Sequence, residues 1–178
     1  MVAKRYKMNP DVAAVLIGRR SRAEGQQFEA TIEASCQYYS LRGLAEIEKT
    51  PEPTKQIGPK GADGHFTACY VKKAQPDYKG TVRGGRAIVF EAKHTDKDRL
   101  QQSAVTAEQE KRLDRHAALG AECFILVSFG FRQFFKVPWA VFRRMKDNYG
   151  RKYITPADVQ EYKVEYMGGV LHFLRGEA

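Results

Sequence analysis

The sequence predicts an α/β protein in which a mixed β-sheet is flanked by helices. Three consecutive segments predict this fold class: an apolar strand at 87–93, a helix at 106–119 and a buried strand at 122–129. Alternation of strand, helix and strand is typical of a sheet whose faces are covered by the connecting helices. With 178 residues, the chain is long enough for one domain with a sizeable core.

The N-terminal region combines a basic segment with a helix. Six basic residues and one acid precede residue 23, which predicts a flexible basic arm at 1–20 and a single domain at 21–178. Ser21-Arg22-Ala23-Glu24 matches a capping box, so the first helix is predicted to begin at Ser21. Its predicted buried stripe consists of apolar residues at helical spacing, Phe28, Ile32, Cys36 and Tyr39.

The next segments predict strands separated by turns. Residues 45–49 alternate as in a short strand, 58–64 form a turn or hairpin tip, and 66–73 form a strand. Residues 74–85 hold turn residues, with Asp77 among them. Toward the C-terminus, short helices are predicted from Pro138 and near Pro156, followed by a weak strand at 170–173.

Charge and composition narrow the class of partner. The net charge is +9 and the pI is about 9.5, which favours a polyanionic partner such as DNA because lysine and arginine displace counterions from phosphates. No apolar run approaches the roughly 20 residues that cross a bilayer, so no membrane association is expected. Three scattered cysteines make neither a disulfide framework nor a zinc motif, and we expect a cytoplasmic protein.

The end of the strand at 87–93 carries the residues suited to chemistry. Side chains alternate between faces along a strand, so Glu91 and Lys93 share one face. If the chain returns on itself between 77 and 93, Asp77 approaches Glu91, and two converging carboxylates suit Mg²⁺. Lys93 is then placed to orient the attacking water or to offset charge on the phosphate. The alternative interpretation is a surface ion pair at a strand end.

Other residues near this motif leave alternatives open. Glu161-Tyr162-Lys163 repeats the Glu-x-Lys spacing without an apolar strand before it, so spacing alone is a weak signal. Gln109 serves either the predicted capping box of the helix at 106–119 or the shell of the metal. Glu29 follows buried Phe28 and faces either the metal cleft or solvent.

Other chemistries have little support. The four histidines lack ligand spacing, and each is expected on the surface or on a polar face. The chain has no GxGxxG, P-loop or GxSxG motif. Arg83-Gly84-Gly85-Arg86 is predicted to be a turn whose exposed arginines can contact DNA.

A set of short motifs occurs in a fixed order along the chain: Phe28-Glu29, Lys49-Thr50-Pro51-Glu52-Pro53, Pro59-Lys60, Asp77-Tyr78-Lys79-Gly80, Phe90-Glu91-Ala92-Lys93 and Glu108-Gln109. Taken together, these motifs resemble the RecU-type Holliday-junction resolvases of the PD-(D/E)XK nuclease superfamily. The similarity covers roughly residues 18–140, and the ordered set of motifs is far more specific than any one of them.

The resemblance implies a restriction-endonuclease-like fold with a small projecting hairpin at about 57–73. It also implies a homodimer that cuts four-way DNA by paired nicks in recombination or repair, with Mg²⁺ as cofactor and Mn²⁺ as a possible substitute. The family's metal ligands fall on Asp77, Glu91 and Gln109, and its catalytic lysine falls on Lys93. Gln75 stands where the family has a threonine, and it is expected, with Glu29, to lie around the metal ligands.

Basic residues outside the proposed catalytic set are expected to hold DNA phosphates. These residues are Arg19, Arg20, Lys60, Lys72, Lys73 and Arg83. Two other functions remain open at this point: a nuclease of the same fold that acts on duplex or flap DNA, and a non-catalytic protein that binds junctions.

Overall fold

The computed structural model describes residues 10–51, 54–59, 61, 65, 67–70 and 75–174. The helices are α1 (Pro10–Leu41), α2 (Ala107–Ala118), α3 (Trp139–Arg143) and α4 (Met145–Tyr149). The first six strands are β1 (Ala45–Lys49), β2 (Thr54–Ile57), β3 (Thr67–Tyr70), β4 (Tyr78–Val82), β5 (Ala87–Thr95) and β6 (Leu100–Gln101). The other six are β7 (Glu122–Phe129), β8 (Gln133–Pro138), β9 (Tyr153–Ile154), β10 (Lys163–Val164), β11 (Tyr166–Met167) and β12 (Val170–Leu171).

Six of these strands form one sheet, in the order β1-β4-β5-β7-β8-β10. The pair β5 and β7 is parallel, and every other pair in this sheet is antiparallel. Parallel neighbours need a crossover connection, which α2 supplies between β5 and β7. The predicted mixed sheet flanked by helices is therefore confirmed.

Helix α1 begins at Pro10, so the predicted start at Ser21 is wrong. Residues 10–20 are helical, although they were predicted to belong to a flexible arm, and residues 1–9 lie outside the described part. Proline suits the first turn of a helix because the N–H that it lacks would have no helical acceptor there. No other proline occurs before Pro51, so the helix continues through the capping-box pattern at 21–24.

Strand β4 occupies much of the segment that was predicted to hold turn residues. Gly80 on this strand is a residue type typical of turns, but glycine is present here for a different reason. A Cβ on Gly80 would meet the carbonyl oxygen of Glu46 and lie 2.6 Å from Cα of Ile47. Glycine is therefore required here because the backbones of β1 and β4 approach closely.

The sheet separates two cores. On one face, α1 contributes the predicted stripe of Phe28, Ile32, Cys36 and Tyr39, all of which are buried. On the opposite face, α2, α3 and α4 pack over Val89, Ile125 and Phe135, among others. Burying apolar area on both faces fixes the register of the central strands, because a slip of one residue would exchange the two faces.

Three aromatic rings form a continuous stack across neighbouring strands on the α1 face. Tyr78 and Phe90 have ring centroids 4.8 Å apart at an interplanar angle of 9°. Phe90 and Phe124 follow at 4.6 Å and 11°. The stack joins β4, β5 and β7 side by side, directly beneath the segment that carries Asp77 and Glu91.

Strands β2 and β3 pair antiparallel and form the predicted hairpin, which begins at Thr54 rather than near 57. The C-terminal predictions hold in outline: α3 follows Pro138, a 3₁₀ helix spans Pro156–Tyr162 and β12 begins at Val170. Among the helices described, none has the length and apolar character needed to cross a membrane. The division into an arm and a single domain remains a prediction.

Candidate active site

Asp77 and Glu91 lie opposite each other at one edge of the β4–β5 pair. Tyr78 is paired with Phe90 in the antiparallel register, so continuing that register places Asp77 beside Glu91. Oδ2 of Asp77 accepts a hydrogen bond of 3.0 Å from the backbone N–H of Ala92. The two acids, fourteen positions apart in the chain, are thus brought together, which is the arrangement expected if 77–93 returned on itself.

The carboxyl group of Glu91 is completely buried. Its Oε2 accepts hydrogen bonds from Nζ of Lys93 at 3.2 Å and from Nε2 of Gln109 at 2.5 Å. Burial and the negative charge of Asp77 together raise the pKa of Glu91 to about 8, although the ammonium of Lys93 opposes both effects. The proton is therefore held more tightly by Glu91 than by an exposed glutamate, and a bound cation would favour its release.

Lys93 lies on the same face of β5 as Glu91, as predicted from strand alternation. Its side chain is mostly buried, with 19% of its area exposed. An ammonium in this position is anchored to the carboxylate on one side and open to solvent on the other. It can therefore contact a phosphate that approaches the two acids.

Gln109 combines the two roles that the sequence left as alternatives. Its Oε1 accepts hydrogen bonds from N and Oγ1 of Thr106 at 3.0 and 3.2 Å, which completes the capping box of α2. Its amide nitrogen donates to Glu91. In this orientation the amide holds the carboxyl group of Glu91 in place, and its role as a direct metal ligand remains a prediction.

The donor set fits a small hard cation. Oε1 of Glu91 is buried and has no hydrogen-bond partner among the described residues. A buried oxygen without a partner costs free energy unless something binds to it. Because a second carboxyl group, that of Asp77, adjoins it, a divalent ion with oxygen ligands would satisfy the unpaired oxygen and offset the charge of both acids.

Comparison with known families shows to which family the chain belongs. The sequence model of recombination protein U (RecU) matches residues 23–176. The chain belongs to the RecU family.

Relatives of this RecU-family chain are named Holliday junction resolvase RecU. That of Streptococcus thermophilus is 30% identical over 138 residues, which is 72% of this chain and 69% of the relative. That of Geobacillus kaustophilus is 33% identical over 135 residues, which is 71% of this chain and 65% of the relative. A solved structure of Archaeoglobus fulgidus Hjc, a Holliday junction resolvase, superposes with a TM-score of 0.47 at 14% identity, covering 80% of this chain and 91% of that one.

Two residues expected around the metal ligands of this RecU-family chain lie in other contacts. Glu29 accepts from Nζ of Lys49 at 2.9 Å, and Glu33 accepts from the same ammonium at 2.8 Å. Oε1 of Gln75 accepts from Nζ of Lys79 at 2.9 Å. Within the described part of the chain, no hydrogen bond or ion pair joins Glu29 or Gln75 to the two acids. Their place around the metal therefore remains a prediction.

The residues expected to hold DNA have mixed outcomes. Arg19 and Arg20 are exposed on α1, and Arg20 is paired with Glu24 at 2.7 Å. The guanidinium of Arg83 donates to the carbonyl oxygens of Gly43 and Arg42 at 3.1 and 3.3 Å, which ties the β4–β5 turn to the end of α1. Lys60, Lys72 and Lys73 lie outside the described residues.

A group of basic residues beside the site was missed. Lys79 on β4 and Arg112 and His116 on α2 form what we call the basic group. Burial and the charge of Arg112 lower the pKa of Lys79, while burial and the charges of both neighbours lower that of His116. Arg112 and His116 are four residues apart on a predicted helix, which was an available signal, whereas Lys79 lay in a segment predicted to hold turns. Like charges held close together favour an anion between them.

Proposed function

We propose that this chain is a Mg²⁺-dependent, structure-selective DNA endonuclease that resolves Holliday junctions by paired nicks and acts as a homodimer. The observation that carries the proposal is the convergence of Asp77, Glu91 and Lys93 at one edge of a buried strand pair. Membership of the RecU family and relatives named Holliday junction resolvase RecU support the choice of substrate.

Asp77 and Glu91 would hold the divalent ion, with Mn²⁺ as a substitute for Mg²⁺. Such an ion polarises the phosphodiester and lowers the pKa of bound water. Gln109 keeps the Glu91 carboxyl group in position through its amide nitrogen, and the capping box keeps Gln109 in position. The catalytic acids are therefore supported by secondary structure on both sides, by the strand pair and by the first turn of α2.

Lys93 has a separate task in the proposed reaction. Its ammonium already touches Oε2 of Glu91 and has an exposed side. It can donate a hydrogen bond to a phosphate oxygen or hold the attacking water, and in either case it stabilises the negative charge that grows in the transition state.

Recognition of the DNA would depend on shape more than on base sequence. The net charge of +9 favours phosphate contacts, which give affinity without sequence information. The basic group lies next to the proposed metal ligands, where it would hold the strand that is cut. A two-fold dimer would match the pseudo-symmetry of a four-way junction.

The experiment is cleavage of a synthetic four-way junction in Mg²⁺, beside duplex and flap substrates of the same sequence. We expect symmetric nicks in the junction, little cleavage of the duplex, and a loss of about a hundredfold or more for Lys93→Ala. Lys163→Ala is the matched control, because Glu161-Tyr162-Lys163 has the same spacing without the paired acid.

Each contrary outcome has a defined meaning. Equal cleavage by wild type and Lys93→Ala would remove the lysine from the mechanism. Preference for duplex or flap would replace the junction as substrate, and binding without any product in Mg²⁺ or Mn²⁺ would favour a non-catalytic junction binder.

A further inference from the structure

A second group of polar side chains lies on the opposite face of β5 from the proposed active site. His94 follows Lys93 and therefore points toward α1, where it meets Glu24, and Asp96 follows just after the strand. We call these three residues the His94 cluster. The imidazole is 5% exposed, so of the two expected locations, the surface or a polar face, His94 occupies the second. Strand β5 places the imidazole against α1, although the neighbouring residues Lys93 and Asp96 are polar.

The ligand atoms of the His94 cluster converge on one point. Nε2 of His94 lies 3.1 Å from Oδ1 of Asp96 and 3.3 Å from Oε2 of Glu24, and one ligand atom from each residue lies within 4.8 Å of the others. Tetrahedral ligands at zinc, with bonds of about 2.0–2.1 Å, are separated by roughly 3.3 Å. The two distances from the imidazole nitrogen already match that separation.

Neighbouring groups hold the ligands in the orientation that a metal needs. Nδ1 of His94 lies 3.1 Å from Oγ of Ser128, a completely buried side chain, so Nε2 is the nitrogen that faces the carboxylates. Nε of Arg20 donates to Oε1 of Glu24 at 2.7 Å, which leaves Oε2 turned toward the imidazole. Metal-binding histidines and carboxylates are commonly oriented by such outer hydrogen bonds.

One oxygen of the His94 cluster lacks a hydrogen-bond partner. Oε2 of Glu24 is buried and accepts no hydrogen bond from the described residues, although Nε2 of His94 is near. Two carboxyl groups thus face one imidazole, and one of them has a buried oxygen without a hydrogen bond, while Arg20 pairs with the other oxygen of Glu24.

We propose that the His94 cluster binds one divalent transition-metal ion of the zinc class, separately from the catalytic ion. An imidazole with two carboxylates is a nitrogen and oxygen donor set that suits Zn²⁺, Mn²⁺ or Co²⁺, whereas Mg²⁺ prefers oxygen donors alone. A cavity of about 350 Å³ lined by Arg20, Asp96, Gly130 and Arg132 adjoins Asp96. The bound ion joins α1 to the end of β5 as a structural link.

The test is a Zn²⁺ and Co²⁺ titration of the full chain carrying Glu91→Gln, which disables the proposed catalytic site. We expect one ion per chain by calorimetry, a higher melting temperature in Zn²⁺ because the ion binds only the folded state, and a visible Co²⁺ absorption band of tetrahedral intensity. No DNA is used, so the result is independent of whether the chain cleaves junctions.

Three further variants in the Glu91→Gln background decide the outcome. Asp96→Asn replaces an exposed ligand without loss of volume and should weaken Zn²⁺ binding by more than about tenfold, while Ser128→Ala should weaken it by about 10–100-fold through misorientation of His94. His172→Gln, an imidazole on another element, is the control and should bind as tightly as its parent. No bound Zn²⁺, or equal binding by Asp96→Asn and its parent, would overturn the proposal and leave the His94 cluster as an ion-pair network.

Discussion

The side-chain amide of Gln109 joins the N-terminus of α2 to the buried carboxyl group of Glu91. Its oxygen accepts from Thr106, and its nitrogen donates to Glu91 at 2.5 Å. The same side chain thus caps the N-terminus of α2 and holds the carboxyl group of Glu91 in place. Any movement of the first turn of α2 would change the position of the Glu91 carboxyl group.

We expect Gln109→Ala to lower both stability and cleavage. Loss of the capping box costs about 1 kcal/mol of unfolding free energy, and loss of a group that orients a metal ligand costs about 10–100-fold in metal affinity or activity. The control is Thr106→Ala, which removes the cap and leaves the bond to Glu91. Thermal melts and single-turnover cleavage would separate the two effects, and equal cleavage by both variants would contradict the role given to the amide nitrogen.

The stability of the metal-free protein should fall as pH rises. Glu91 has an ordinary pKa of 4.5 and a folded value of about 8, so the folded state binds its proton more tightly than the unfolded state does. That contribution is fully present below pH 4.5 and is lost as pH passes about 8. Melting temperatures in EDTA would measure the trend.

Glu91→Gln supplies the comparison for this pH series. The neutral amide cannot ionise, so the variant should melt close to wild type at low pH and above it at high pH. Glu161→Gln changes an exposed acid and should follow wild type. A wild-type profile parallel to that of Glu91→Gln would mean that the buried carboxyl group does not titrate as described.

Members of the basic group should contribute separately to DNA affinity. Lys79→Ala and Arg112→Ala are each expected to weaken junction binding and to reduce the slope of log K against log salt concentration by about 1, because each removes one phosphate contact. Arg42→Ala, an exposed arginine stacked on Tyr38 at the end of α1, is the control. Fluorescence anisotropy at several salt concentrations measures the slopes, and unchanged slopes would exclude these two residues from the interface.

The same Gly→Ala exchange should have opposite effects at two positions. Gly80→Ala forces a Cβ against the backbone of β1, and overpacking of this kind costs about 1–3 kcal/mol or more. Gly25→Ala lies within α1, where nothing lies within 4 Å of the new atom, and it should stabilise by up to about 1 kcal/mol through helix propensity. Denaturant midpoints would show the difference; tolerance of alanine at position 80 would mean that β1 and β4 are less tightly apposed.

The elements that were predicted correctly are those marked by a pattern within their own stretch of sequence. Strand β5 has a continuous apolar run, and α2 has a capping box and a terminal glycine, so both were located within one or two residues. The approach of Asp77 to Glu91 was only conditional, because it depends on strand pairing between distant segments. No local pattern specifies that pairing.

The predictions that were wrong rested on local sequence patterns that occur here for another reason. Gly80 suggested a turn, yet it relieves contact between two strands. The pattern at 21–24 suggested a helix start, yet it lies inside a longer helix that proline begins. For His94 the sequence left both the surface and a polar face open, because whether the imidazole is enclosed depends on which helix covers that face of the strand.

The stack of Tyr78, Phe90 and Phe124 bears on how the proposed metal site keeps its geometry under thermal motion. Each acid directly adjoins one of these rings in the chain, Asp77 before Tyr78 and Glu91 after Phe90. Sliding β4 past β5 would separate rings that lie nearly parallel at 4.8 Å, so the stack opposes a slip that would move Asp77 away from Glu91. Substitutions among these rings, on the face of the sheet that points away from the two acids, should therefore alter the spacing of the acids.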